Sequence, residues 1–243
     1  MQKQCSATFR PNTKHYLTNL NCEGNDLSSL DLSRNVTLII LNCKLNKLTT
    51  LDLSKNVNLE GVQCGNNKLT TLDFSNNSTV SLSECEGNLL QSLNVIKNTN
   101  LARLDCSANQ LTSLDTSANS NLGFLNCAEN KIITLDVSKN KNLNFLVCHK
   151  NGLTSLNMQN ENNYNIRSFT FAAGYNPNLY CIQVDDVEYA KQNFQEVDGQ
   201  VSFSTNCNAT LATNNIQKPQ TKIYPNPAYC VEIESFLLVD ESF

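Results

Sequence analysis

Leu101-Ala102-Arg103-Leu104-Asp105-Cys106-Ser107-Ala108-Asn109-Gln110-Leu111-Thr112-Ser113-Leu114-Asp115 holds one short motif twice. Leu101, Leu104, Cys106 and Asn109 space out the first copy, and Leu111, Leu114, Thr116 and Asn119 repeat it ten residues later. The pair recurs along the chain with a period of 21 residues. Cys22, Cys43, Cys64, Cys85, Cys106, Cys127 and Cys148 hold that spacing without a slip, as do Asn25 to Asn151 and Leu30 to Leu156. A second asparagine column runs from Asn35 through Asn56, Asn77, Asn98 and Asn119 to Asn140. Self-similarity at a fixed period is the signature of a stacked repeat.

Each half-turn alternates apolar and polar residues over a few positions, as short strands with alternate side chains inward require. Ten residues leave no room for a helix between them, so both sides of each turn are predicted to be extended. Neighbouring turns then pair in parallel. One turn buries about five Leu-class side chains, too few to offset the backbone entropy of ordering it, so stacking is obligatory.

The motif resembles the leucine-rich-repeat family, in particular its nested bacterial variant with 21-residue units (the IRREKO type), across residues 17–163. The resemblance implies a repeat solenoid, mainly β: a right-handed coil of about eight turns with parallel short strands on both sides. It also implies an asparagine ladder bonding the backbone of its own and the adjacent turn. The eighth turn departs from the pattern. An insertion near Asn162 shifts the apolar positions to Ile166, Phe169 and Phe171, with Phe171 expected in the place of cysteine.

The boundaries that follow are 1–16, a short irregular N-terminal segment; 17–163, the repeats; 164–207, a last irregular turn and C-terminal cap; and 208–243, a linker and tail. Asn176 to Asp186, with the following residues to Cys207, resembles the closing segment of secreted leucine-rich-repeat proteins from Bacteroidetes-type bacteria. Cys181 and Cys207 stand outside the ladder and are candidates for a disulfide there, while Cys5 and Cys230 have no assigned partners. Lys222-Ile223-Tyr224-Pro225-Asn226-Pro227 resembles the opening of a type IX secretion sorting domain, of which too few residues follow for the usual sandwich. A secreted or cell-surface location is therefore expected. Met1 to Thr13 nonetheless lacks the apolar run of a signal peptide, so truncation at both ends is the expectation.

The ladders read as structural. Metal ligands converge on a point, whereas a spacing of 21 gives a column, and parallel Cβ vectors defeat disulfides between stacked neighbours. Asn35-Val36-Thr37 and Asn77-Ser78-Thr79 match the glycosylation pattern, but both asparagines belong to a ladder. Outward Ser/Thr and Asp columns such as Thr50, Thr71, Asp52 and Asp73 read as a solvated face, with cation or ice binding as the alternative. A net charge of -4 and no run of basic residues exclude an electrostatic footprint for nucleic acid. No stretch approaches the length of a membrane-spanning helix, so no membrane insertion is expected.

Variation between repeats marks where a partner is read. The outward first-strand positions change from turn to turn: Ile40, Gly61, Leu82, Arg103, Phe124, Phe145, and beside them Val147 and His149. Phe124 and Phe145 are predicted to lie one above the other, with Arg103 a turn away, residue types that anchor interfaces. The candidate ligand-binding set is thus Ile40, Leu82, Arg103, Phe124, Phe145, Val147 and His149, with a protein or glycan as ligand. Cover by the chain itself and neutral surface are the alternatives for this patch. His15 and His149 sit in no nucleophile–base or HExxH arrangement, and no Gly-rich phosphate loop is present, so no catalytic residue, metal or cofactor is assigned. A non-catalytic binding module is expected, with a structural spacer or surface-layer element as the alternative.

Overall fold

The computed structural model describes the backbone of Thr8–Phe9 and residues 16–208. Those residues wind into a parallel-strand β-solenoid of about nine turns. On one side eight strands stack in order along the chain, from Asn19–Asn21 and Ile40–Asn42 through Arg103–Asp105 and Phe124–Asn126 to Phe145–Val147 and Phe171–Ala172. The register advances by one repeat per strand: Leu20↔Leu41↔Val62↔Ser83↔Leu104↔Leu125↔Leu146. The second side forms strand ladders only toward its ends. Ser29–Leu30 pairs with Thr8–Phe9, and Thr134–Asp136, Ser155–Asn157, Cys181–Gln183 and Ser202–Ser204 make a four-stranded parallel sheet. The first of these pairings gives the N-terminal segment a two-residue strand, which its irregular sequence did not announce.

In the middle turns side-chain amides do the tying on that second side. The Asn56 amide donates to the carbonyls of Leu32 and Asn35, at 3.2 and 2.8 Å, and Asn77, Asn98, Asn119 and Asn140 repeat the arrangement one turn on. The other asparagine column sits where the chain leaves the first strand. Asn109 donates to the carbonyls of Cys85, Cys106 and Ser107 at 3.0, 3.1 and 3.1 Å and accepts from the Leu90 N–H at 3.0 Å. One side chain thereby satisfies four backbone groups that the turn would otherwise bury unpaired. Reaching them requires one left-handed residue per turn just before the asparagine. Gly24 and Gly87 take it without strain, and Leu45, Asn66, Ala108, Glu129, Lys150 and Tyr175 take it at φ of 51 to 57°.

The interior is aliphatic, lined along one side by thiols. Leu27, Leu38, Leu48, Leu59, Leu69, Leu90, Leu101 and Leu111 are wholly buried, and all seven ladder cysteines lie beside them. Asn35 and Asn77, the two glycosylation-pattern asparagines, are 2% and 0% exposed and closed to modification.

The eighth turn corrects the register expected from sequence. Leu146 pairs with Phe171 and Val147 with Ala172, so Phe171 fills the leucine column and Ala173 the cysteine column. The step from Leu146 to Phe171 is four residues longer than the others, and two 3-10 turns, Asn163–Asn165 and Ser168–Thr170, absorb the excess. Phe169, expected inside, is turned out with 77% of its surface exposed. Asn176 then resumes the asparagine ladder, donating to the carbonyls of Cys148 and Ala173 at 3.2 and 2.9 Å. Beyond it the helix Val187–Asn193 closes the end of the core with Ala190 and Phe194, the latter against Phe171 with ring centroids 4.5 Å apart. Cys181 and Cys207 are joined by a disulfide, Cα atoms 5.7 Å apart. Cys5, Cys230 and the Lys222–Pro227 motif lie outside the described residues.

Candidate functional site

The eight-stranded sheet turns every second side chain outward, and the variable residues form two adjoining columns on it. One column runs Ile40, Gly61, Leu82, Arg103, Phe124, Phe145; the other runs Asn42, Gln63, Glu84, Asp105, Asn126, Val147. Ile40 is folded over Gly61, where a Cβ would lie 2.9 Å from the Ile40 Cδ1, so that turn presents isoleucine in place of a side chain of its own. Leu82 is half-buried and separated from the aromatic residues by Arg103.

Phe124 and Phe145 stack, with ring centroids 4.1 Å apart and planes 13° from parallel. The Arg103 guanidinium lies 3.6 Å from the Phe124 centroid, and its Nε donates to Glu84 at 3.2 Å. A carboxylate of one column thus meets a guanidinium and two rings of the other in one continuous series of contacts, each residue half-buried. Parallel strands about 4.8 Å apart impose the spacing, and flat groups at equivalent positions use it by stacking.

On the N-terminal side of the stack the surface is a network of charge. Lys44 bonds Glu84 at 3.2 Å and Glu86 at 2.7 Å, and the Gln63 amide donates to Glu84 at 2.9 Å. Burial opposes the charge on Lys44, but its bonds to Glu86 and Glu84 outweigh burial and raise its pKa. Burial likewise pushes Glu84 up, and hydrogen bonds from Gln63, Lys44 and Arg103 override it, holding the carboxyl below its ordinary range. Gly65 makes room for this network, since a Cβ there would overlap the Glu86 carboxylate.

On the C-terminal side the surface opens into a cleft of about 530 Å³, lined among others by Val147, His149, Lys150, Phe169, Tyr175 and Glu196. Val147 is the strand-mate of Phe145, so the cleft continues the aromatic patch. Tyr175 stands 72% exposed at a φ of 57°, and Asp198 holds that backbone by accepting from the N–H groups of Tyr175 and Asn176 at 2.8 and 2.6 Å. Glu129, lowered mainly by its hydrogen bond from Lys150, takes that ammonium at 2.8 Å and lies 4.0 Å from His149 Nε2.

The structure therefore brings Arg103, Phe124 and Phe145 into contact and places Val147 and His149 on the adjoining cleft, while Ile40 and Leu82 lie further along the column. Phe169, Tyr175, Lys150 and Glu196 are the members that sequence reasoning missed. For Phe169 the signal was the insertion in the eighth turn, because a lengthened turn on a regular coil must push residues out. Among the described residues no three His, Cys, Asp or Glu side chains converge as a metal set, and no helix is long and apolar enough to cross a membrane.

The outward Asp column on the second side has its own occupation. Asp52, Asp73, Asp115 and Asp136 each accept from the backbone N–H two residues on, at 2.8 to 2.9 Å, holding the turn. For Asp52 the backbone bond from Ser54, and for Asp115 the hydroxyl of Ser117, are the leading causes that lower its pKa.

No family model and no curated protein match the chain. Solved structures do. The functional domain of InlJ from Listeria monocytogenes, described as including a cysteine ladder, is 26% identical with a TM-score of 0.59, over 80% of this chain and 52% of that one. The leucine-rich-repeat protein LIC12759 from Leptospira interrogans is 20% identical at a TM-score of 0.57, over 77% and 48%. YopM from Yersinia enterocolitica is 21% identical at 0.58, over 77% and 41%. The chain spans about half the length of the first two. The fold is that of the leucine-rich-repeat proteins. Within that class its neighbours are bacterial, internalins and YopM among them.

Proposed function

We propose that the chain is a non-catalytic protein-binding module that recognises its partner through the Arg103–Phe124–Phe145 column and the cleft beside Val147. The observation that carries this reading is convergence. Four of the variable positions adjoin instead of scattering: Arg103, Phe124, Phe145 and Val147 gather toward one end of one sheet face, half-exposed, next to a concave feature. A surface selected only for solubility gains nothing from two exposed phenylalanines in register. Aromatic and arginine anchors beside a pocket are what binding interfaces use. This favours recognition over the spacer reading, and a protein partner over a glycan because the patch is dominated by phenylalanine and arginine.

A secreted or cell-surface location fits the same reading. The Cys181–Cys207 disulfide belongs in an oxidising compartment, while the ladder thiols are protected by burial rather than by reduction.

Phe124→Ala combined with Phe145→Ala tests the proposal. Both side chains lie half outside the core, so the variant is expected to fold with an unchanged far-ultraviolet spectrum and to cost less than about 2 kcal/mol. Immobilised wild-type chain should capture a defined protein from the growth medium of the organism that carries the gene, and the double variant should lose it by at least about tenfold in affinity. Equal capture by both chains would sink the proposal.

A further inference from the structure

The face carries one intramolecular example of how it handles a basic side chain. Arg103 lies between the Glu84 carboxylate, at 3.2 Å, and the Phe124 ring, at 3.6 Å. The cleft at the C-terminal end assembles the same two ingredients, and the basic residues of its own wall are paired with a different carboxylate. Phe169 and Tyr175 stand in its wall, 77% and 72% exposed, and Glu196 adds an exposed carboxylate. Ala172 and Gly174 also line the cleft. The basic residues of the wall are turned to another acid: Lys150 Nζ lies 2.8 Å from Glu129, and His149 Nε2 lies 4.0 Å from the same oxygen.

Two features show that the aromatic residues are held out rather than left out. Phe169 is in the 3-10 turn Ser168–Thr170, closed by hydrogen bonds between Arg167 and Thr170. Tyr175 occupies the left-handed position that each turn keeps just before its ladder asparagine, and here Asp198 fixes that backbone through two N–H groups. A carboxylate and aromatic faces around a cleft of this size make a site for a cation carried on an apolar stem.

We propose that this cleft receives the side chain of an arginine or lysine presented by the protein partner. The inference rests on the reading of this face as a recognition surface and names the chemistry of what the surface recognises. Partner specificity then comes from a basic residue seated next to the Phe124–Phe145 stack, which supplies the apolar contact area.

The test uses the whole chain, isotope-labelled for nuclear magnetic resonance and titrated with Nα-acetyl-arginine methylamide. The norleucine and glutamate analogues serve as controls. Amide shifts around Phe169, Tyr175 and Glu196 are expected to saturate with arginine in the millimolar range. Arginine should bind at least roughly threefold more tightly than norleucine, and glutamate should not bind. Glu196→Gln should weaken arginine by a similar factor, Tyr175→Ala should abolish its binding, and Tyr175→Phe should retain it because the ring face remains. Norleucine binding as tightly as arginine, shifts mapping elsewhere, no saturable shifts, or indifference to Glu196→Gln would each overturn the inference. Those failures leave the wider reading to the double phenylalanine variant. Arginine binding in a chain whose double variant captures every partner unchanged would support the cleft and remove the wider reading.

Discussion

At the scale of single residues, the asparagines carry what the leucines cannot. Asn109 satisfies four backbone groups, two of its own turn and two of the turn before. Asn109→Ala strands them in a buried site, where each unsatisfied group costs about 1–3 kcal/mol. The variant should lose roughly 3 kcal/mol or more, read as a lower urea midpoint with an unchanged slope. The second asparagine column is less complete. The side-chain oxygens of Asn35, Asn56, Asn77, Asn98 and Asn119 are buried without a hydrogen-bond partner, whereas that of Asn140 accepts from the Thr116 hydroxyl at 2.9 Å. Thr116 stands in a column otherwise filled by Leu53, Phe74, Val95 and Val137. Thr116→Val should therefore destabilise by about 1 kcal/mol, despite replacing a polar core residue with an apolar one. Val95→Thr, which offers Asn119 the same hydroxyl, should cost less than a buried hydroxyl ordinarily would. Equal losses for the two variants in urea denaturation would contradict this account. The period alone located these columns. Their bonding pattern was legible only in outline, because which carbonyl a side chain reaches depends on the left-handed residue before it.

At the scale of the element, each turn contributes one thiol to a continuous buried column. Burial, reinforced for Cys64 by the neighbouring Cys85 and Cys43, raises the pKa of these groups, and Cys85 and Cys127 are pushed up to about 12 from an ordinary 9.0. The folded chain therefore keeps its protons where the unfolded chain loses them. This contribution to stability is fully present below pH 9 and is lost as pH rises toward about 12. Urea midpoints should be level from about pH 7 to 8 and fall above about 9, and Cys85→Ala with Cys127→Ala should flatten that fall while lowering the whole curve. A profile with the same alkaline slope in both chains would mean that other groups set it. The short strands were legible because apolar alternation and a fixed period coincide. The uneven second side was not, since its middle turns and its ends share one sequence pattern and differ only in whether the strand pairing is completed. The eighth turn was misread at Phe171 because an insertion hides register: the period stops, and only pairing with Leu146 restores it.

At the scale of the whole molecule, the ladder bonds connect each turn to its immediate neighbours, as the Asn56 and Asn109 amides do, while Lys44 reaches Glu84 and Glu86 two turns on. Deleting residues 59–79 removes one complete period and leaves Val80 where Leu59 stood. That chain should fold with the same spectrum and a cooperative transition shifted down by a modest amount, since stability in such arrays is close to a sum over turns and their contacts. Deleting residues 59–78 instead breaks every column and should prevent folding, which limited proteolysis would show. The candidate site was half legible by this logic. Residues on the regular turns, Arg103, Phe124 and Phe145, could be placed against one another from spacing. Phe169, Tyr175 and Glu196 could not, because they are positioned by the irregular turn and its cap.

That irregular turn divides the molecule into a part that can change length and a part that cannot. Before Leu101 the turns share one length and one register, so duplication or loss of a whole period there lengthens or shortens one arm like a bead added to a string. Past Phe145 the four extra residues, the helix and the disulfide admit no such exchange. A lineage of these proteins could thus vary widely in reach while the irregular end stayed unaltered.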